Sequence, residues 1–343
     1  MKSALFGLIG SLVLTLTVGS TAKAASMKDM SEVRPLPAEL MEYIEQAEAG
    51  TLPDPLTLGK ETLWVAGGRN TFLETVADNG GKYSVFDLYV PPNVGPPLHF
   101  HNREDEWFYV VEGNPSFQHQ DHTFVADPGT LLFSPQLERH AFLNKTKDPV
   151  RMLLFYALPP GSDSTFAGNI EEFFREVGQE VTDPYTPPPF NPAELLIAGP
   201  KYGLTFPSTF VFTTPEFTGN EVSILRTGVV DAAARVILSL GNGIEIPVEF
   251  GVGEFLQNVS IPTNLGNQPL NLTLKDPSEG SYLGLLQNQA VLITTSVPES
   301  SSTVGLLAFG VLGVALLLKK KQSRFGHISQ LQLKTAKINA SQI

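Results

Sequence analysis

The stretch "LHFHNREDEWFYVVEG", residues 98–113, gathers side chains that can bind a cation. In a β-strand residues i and i+2 point to the same face, so His99 and His101 project into one space. Glu106 lies five residues past His101, and in one continuous strand it would face away. "NRED" reads as a turn, however, so Glu106 begins the next strand and faces back, with Phe108 and Val110 on its side and Gly113 closing the hairpin. Further on, "DPGTLLFSPQLERHAFLN" reads as turn, strand, turn and strand, with His140 opening the last strand. Histidine is the commonest neutral nitrogen ligand for transition metals. Three imidazoles and one carboxylate leave a five- or six-coordinate ion with open positions, and chemistry at a metal needs an open position.

Spacing carries the comparison further. The chain has H-x-H, four residues, Glu106, six residues, Gly113; then Gly129, five residues, Pro135, His140 and, after three more residues, Asn144. In these two motifs it resembles the cupins. Gly95 stands two residues closer to the first histidine than in the usual form, and Leu137 occupies a position where the motif has glycine. The wording around "HFHNREDEWFYVVEG" is most similar to single-domain cupins resembling quercetin dioxygenase. That resemblance covers roughly residues 63–206. It implies a small β-barrel whose mouth holds a divalent transition metal (Mn, Fe, Ni, Cu or Co) on His99, His101, Glu106 and His140. Phe108, Phe133 and Phe142 would line an apolar substrate cavity. It also implies a metal-dependent oxidoreductase of dioxygenase type, acting on a small aromatic or enol compound, with Glu106 as a catalytic base. A non-catalytic metal- or ligand-binding module and a surface protein are the competing readings. Pairing into homodimers, common among cupins, is a further implication.

Other polar residues in the region read as solvated. His119 and His122 in "QHQDHT" are expected at an exposed hairpin tip. Glu104 and Asp105 are expected as exposed turn charges, the alternative being that one of them orients a ligand histidine.

The elements that must position this constellation are short β-runs broken by Gly, Pro, Asn and Asp: "TFLETVA", "YSVFDLYVP", "EWFYVVEG", "TFVADPG", "TLLFSP", "HAFLN" and "RMLLFYAL". Such runs predict an antiparallel barrel or sandwich over residues 59–206. Residues 25–58 read as a helical lead and linker, with Leu40, Tyr43 and Ile44 at helical spacing and Gly50 as a stop. "NIEEFFREVG" reads as an amphipathic helix capped by Asn169 and ended by Gly178, and Pro192 can start another. Residues 207–296 show half-buried alternation at Leu270, Leu272 and Leu274, as in a β-sandwich. The phrases "RTG", "LTLKDPSEGSYLG" and "AVLIT" resemble a Calx-beta domain, an immunoglobulin-like fold. "NLGNQP" supplies too few acids for the six to eight or so oxygens that calcium takes.

The 343 residues suffice for two domains, and 42% hydrophobic against 17% charged residues provides sizeable cores. A net charge of −12 argues against nucleic acid as a partner. The chain has no cysteine, which excludes disulfides, thiolate nucleophiles and cysteine-ligated zinc. Residues 1–24 combine Lys2, an apolar run and a small-residue "AKA" exit, the pattern of a secretory signal peptide. At the other end, "VPESSS", an uncharged run and Lys319–Lys321 resemble the PEP-CTERM sorting signal, over residues 297–321, with a tail at 322–343. The run Thr303–Leu318 would span roughly 24 Å as a helix. This implies export, transient anchoring in the inner membrane through that helix, and processing by an exosortase. The expected architecture is therefore all-β: a cupin jelly-roll barrel, an immunoglobulin-like sandwich and a C-terminal transmembrane helix.

Overall fold

The computed structural model describes residues 34–262 and 268–293, together with a two-residue strand at Lys23–Ala24. The rest of the leader at 1–24, the sorting signal with its apolar helix at 297–321 and the tail at 322–343 lie outside the described residues. So do residues 263–267, which hold most of the acid-poor loop considered for calcium. Among the described residues no helix is long and apolar enough to cross a membrane. The described chain divides into two compact units. One runs to Phe190 and includes Ala198–Phe206; the other takes Asn191–Ile197 and the chain from Pro207 onward.

The first unit contains, in order, β1 (Lys23–Ala24), α1 (Met41–Glu48), β2 (Thr62–Val65), β3 (Gly68–Glu74), α2 (Val76–Asn79), β4 (Tyr83–Val90), β5 (Phe100–His101), β6 (Asp105–Glu112), β7 (Ser116–His119), β8 (His122–Val125), β9 (Thr130–Ser134), β10 (His140–Leu143), β11 (Val150–Ala157), α3 (Asn169–Val177), β12 (Gln179–Glu180), the latter part of α4 (Pro192–Tyr202) and β13 (Leu204–Thr205). Eight strands form one sheet in the order β1-β9-β6-β11-β4-β3-β2-β12; a second sheet is β10-β7-β8, and β5 pairs with β13. The two sheets face one another through aromatic side chains: Phe108 of β6 meets Phe117 of β7 and Phe142 of β10 at ring-centroid distances of 5.3 and 6.1 Å.

Strands β4, β6 and β11 are buried along almost their whole length because both of their faces are covered. Alternate residues serve different cores. Glu106 and Phe108 face the interior between the sheets. Trp107 and Tyr109, with Val85, Leu153 and Phe155, pack on the other side against Leu40 and Ile44 at the start of the chain. Leu40 and Ile44, two of the residues whose spacing predicted a helix, are fully buried there.

The strand read in "TFLETVA" stops early. β3 ends at Glu74, and Val76–Asn79 turns into α2. The Asp78 carboxylate accepts hydrogen bonds from the Thr75 N–H and hydroxyl at 2.9 and 2.8 Å, a local capping arrangement that competes with continued strand. Gly178 ends α3 as expected, but Gly168 rather than Asn169 takes its N-cap position, at φ 75°.

In the second unit β14 (Ser208–Phe212), β15 (Glu216–Thr218), β16 (Glu221–Thr227), β17 (Ala234–Ser239), β18 (Glu245–Phe250), β19 (Leu256–Ser260), β20 (Leu270–Lys275), β21 (Ser281–Leu283) and β22 (Gln289–Ile293) make two sheets, β19-β16-β14-β21 and β15-β22-β20-β17-β18. One apolar core joins them, drawing Phe210, Phe212, Val222 and Ile224 from one sheet and Val236, Leu238, Leu272 and Leu274 from the other. Burial alternates strictly along β16, β17 and β20, as the sequence pattern predicts for strands with one wet face.

Candidate metal centre

His99, His101, Glu106 and His140 come together in the interior of the first unit, all four buried, each offering one donor atom, with those atoms all within 4.8 Å of one another. Three local features achieve this. His101 lies on β5, and His99 bridges to His140 through paired backbone hydrogen bonds of 3.1 and 2.8 Å. The turn expected at "NRED" is real: the Asn102 N–H and side-chain amide both donate to the Gly203 carbonyl, at 2.6 and 2.9 Å, and the chain re-enters at β6 with Glu106 facing back. The loop before His140 is tied to the same turn, since Asp105 accepts from the Gln136 N–H at 2.9 Å while pairing with Arg34 at 2.8 Å.

The motif glycines and asparagine act on the backbone. A Cβ at Gly95 would lie 1.9 Å from the Phe142 carbonyl oxygen, so only glycine lets that segment pass β10. Gly113 and Gly129 have φ of 81° and 85°. Leu137, standing where the motif has glycine, adopts φ 69° all the same, held by its N–H donating to the His101 carbonyl at 2.7 Å. The Asn144 amide donates to the Val90 and Asp148 carbonyls, while its oxygen accepts from Thr146.

Hydrogen bonding orients the imidazoles. His99 Nδ1 lies 2.9 Å from the Pro97 carbonyl oxygen, and His140 Nδ1 is 3.0 Å from the Glu138 carbonyl oxygen and 2.7 Å from Ser134 Oγ. A carbonyl only accepts, so both Nδ1 atoms carry hydrogen and both Nε2 atoms keep a lone pair. His101 Nε2 and His140 Nε2 stand 3.2 and 2.9 Å from Glu106 Oε2. These contacts are short but lack hydrogen-bond geometry, leaving the three atoms buried with no hydrogen-bond partner. Orphaned buried donors aimed at one point are costly unless a cation sits among them, and the set fits a divalent transition metal.

Electrostatics favours the ligand forms of His99 and Glu106, while His101 must give up a proton to bind a cation. Burial, with the charges of His140 and His101, holds His99 well below the usual histidine value. Burial alone would raise Glu106, but His101 and His140 outweigh it and keep the carboxyl ionised far into acid. Burial likewise opposes the charge on His101, yet Glu104 and Glu106 raise it to about 9. Tyr156 is pushed well above its ordinary value by burial and by Glu106, so it stays protonated and donates to Glu106 Oε1 at 2.5 Å.

Two of the three aromatics expected to line a cavity lie on the donor side of β6 and β10. Phe108 lies 5.7 Å from the His140 ring and 6.1 Å from Phe142. Phe133 is a correction. It pairs in register with Trp107, packs on it at 4.9 Å and joins the cluster under Leu40 and Ile44. Alternation that turns Glu106 and Phe108 inward turns Trp107, and with it Phe133, outward. Sequence reasoning missed Phe117 and also Phe206, which stacks on His99 at 5.7 Å. Tyr156 was missed too; its place beside Glu106 in the β11–β6 register marks it.

His119 is not at an exposed tip. It is a buried register partner of His140, with Nε2 2.9 Å from Glu138 Oε2. The turn itself is Gln120–Asp121, and His122 beyond it is exposed as expected. Glu104 and Asp105 are also buried, at 2% and 4% exposure, because Ile170 and Arg34 come over them from distant segments.

Comparison with protein-family models agrees with the fold of residues 86–156. The family model for the cupin domain matches residues 86–156. A search of curated proteins finds no match to the chain. Among solved structures, a sugar phosphate isomerase of the cupin superfamily from Silicibacter pomeroyi is 23% identical over 27% of this chain, with a TM-score of 0.25, and the match spans 61% of that protein. A predicted oxalate decarboxylase from Thermotoga maritima is 20% identical over 31% of this chain and 97% of its own, with a TM-score of 0.29. The polyketide cyclase RemF from Streptomyces resistomycificus is 26% identical over 30% and 78%, with a TM-score of 0.27. The match to the cupin-domain model, over residues 86–156, includes all four donors.

Proposed function

We propose that the first unit binds one divalent transition metal through His99, His101, Glu106 and His140 and serves as a metal-dependent oxidoreductase of dioxygenase type on a small organic substrate. The observation that carries the metal is the convergence of buried His101 Nε2, His140 Nε2 and Glu106 Oε2 without hydrogen bonds. A bound metal would supply an open coordination position for substrate oxygen or dioxygen. The protein's own residues supply the rest. Phe108 and Phe142 present apolar surface beside His140, suited to a planar organic group. Tyr156 holds one oxygen of Glu106, leaving the other for a ligand or a proton, and Glu106 is the base of this reading. Export through residues 1–24, exosortase processing at 297–321, anchoring through the apolar helix, a Calx-beta-like second unit and homodimer formation are parts of the same proposal and rest on sequence pattern.

A non-catalytic metal- or ligand-binding role is favoured by one feature, the burial of all four donor residues. Two measurements separate the readings. Elemental mass spectrometry of the purified protein is expected to show about one transition-metal ion per chain, lost in His140→Ala. Oxygen uptake with a panel of phenolic and enolic compounds is then expected from the metal-loaded protein. Metal without turnover supports the binding role, and a metal-free wild type after incubation with each candidate ion refutes both metal readings.

A further inference from the structure

Glu104 belongs to no step above, yet it is buried to 2% exposure beside the donors. Its two oxygens face different elements. Oε1 accepts from the Ile170 N–H at 3.2 Å, in the first turn of α3. Oε2 stands 3.9 Å from His101 Nδ1 and has no hydrogen-bond partner. His101 Nδ1 is equally without one. The other two imidazoles have their Nδ1 atoms bonded to backbone carbonyls, and His101 has only Glu104 in that position. A buried N–H and a buried carboxylate oxygen, each lacking any other partner, stand 3.9 Å apart, just beyond hydrogen-bonding distance. Nearby, a small cleft at the start of α3 is lined by Tyr83, Ser84, Glu104, Tyr156, Gly168 and Ile170.

A second contact runs the same way. Phe174 of α3 meets Tyr156 at 6.4 Å, and Tyr156 holds Glu106. The helix therefore touches the donor set at two points, through Glu104 to His101 and through Tyr156 to Glu106.

We infer that Glu104 is the positioning residue for His101 and couples metal binding to the docking of α3, which makes that helix a working part of the metal centre. The inference rests on the metal-binding reading above. Its physics is the carboxylate–histidine–metal relay: the carboxylate fixes hydrogen on Nδ1, turns the Nε2 lone pair to the ion and makes the imidazole a stronger donor. Because Glu104 is at the same time fastened to the first turn of α3, drawing Oε2 toward His101 strengthens helix docking, and docking in turn favours metal binding.

The test uses the full chain with Co(II) as the probe, read by chelator competition, by its visible absorption and by hydrogen exchange of residues 169–177. Glu171 provides the control. It anchors the same helix by accepting from the Val76 N–H at 2.8 Å and the Ser84 hydroxyl at 2.5 Å, and it contacts no donor histidine. Co(II) is expected to slow exchange across α3 in the wild type. Glu104→Leu should weaken Co(II) binding about 10–100-fold, alter the absorption bands and remove the metal-dependent protection of α3. Glu104→Gln, whose amide oxygen can still accept from Nδ1, should restore part of the affinity. Glu171→Gln, which loosens α3 without touching a donor histidine, should lower the melting temperature of the metal-free protein, leave the absorption bands unchanged and weaken Co(II) binding less than Glu104→Leu does. Wild-type affinity and spectrum in both Glu104 variants, or a Glu171→Gln loss as large as that of Glu104→Leu, would overturn the inference while the metal reading stands. A wild type that takes no Co(II) or other transition metal overturns both.

Discussion

Replacing Tyr156 with Phe removes one hydroxyl and little else. In the protein that hydroxyl donates to Glu106 Oε1 at 2.5 Å, and both residues are buried. A hydrogen bond to a charged group contributes about 1.5–3 kcal/mol, and stripping the donor from a buried carboxylate forfeits most of it. The ring environment hardly changes, since Phe86 and Phe174 pack edge-on to Tyr156 at 5.7 and 6.4 Å and accept a phenyl as well as a phenol. Net destabilisation of the metal-free protein is therefore about 2 kcal/mol, or a fall in melting temperature of about 4–8 °C for a unit of this size. The assay is convenient because the chain has only two tryptophans, Trp64 and Trp107, both buried in the first unit, so tryptophan fluorescence follows that unit. A cycle with Glu106→Gln isolates the pair, with an expected coupling of about 1–2 kcal/mol. An unchanged melting temperature together with zero coupling would refute the claim that Tyr156 holds an ionised Glu106.

Gly95→Ala should cost about 3 kcal/mol or more and lower metal content, because its Cβ would fall 1.9 Å from a backbone oxygen of β10, the strand that carries His140; normal stability would show that the segment has room to move. Phe133→Ala should cost about 3–5 kcal/mol by tryptophan fluorescence and leave metal stoichiometry intact, since Phe133 packs on Trp107 away from the donors; loss of metal at full stability would return it to the cavity wall. Burial, with the charges of His140, His122 and Arg139, lowers His119 to about 4 from its ordinary 6.5. Between those values the unfolded chain takes a proton that the folded chain refuses, so stability falls as pH drops through this window and levels off below it. The fall attributable to His119 is up to about 3 kcal/mol in the metal-free protein. Denaturant titrations of wild type and His119→Gln from about pH 7 to pH 4 should show the difference shrinking by that amount, and a constant difference would contradict the assignment.

The donor set was legible in the chain because it is written in short-range terms. His99 and His101 share a face by strand alternation alone, a four-residue turn is enough to bring Glu106 back, and the two-unit division follows from runs of alternating residues on either side of a proline-rich stretch. Helix α3 could be read from Ile170, Phe173, Phe174 and Val177, all of which it buries. What alternation cannot supply is the parity of one strand against the next. Phe133 was assigned to the cavity from the family resemblance, whereas its face follows from pairing with Trp107, a choice made by register across the sheet. Burial of polar residues was illegible for a related reason. Glu104, Asp105 and His119 look like solvated turn residues until Ile170, Arg34 and Glu138 arrive over them, the first two from more than 60 residues away in the chain. Likewise Phe206 lies over His99 only because β13 returns to pair with β5. Sequence alone therefore determined which atoms can bind a cation and the strands that carry them. Tertiary structure decided which groups orient those atoms, because hydrogen-bond partners and strand parity are set by contacts between segments far apart in the chain.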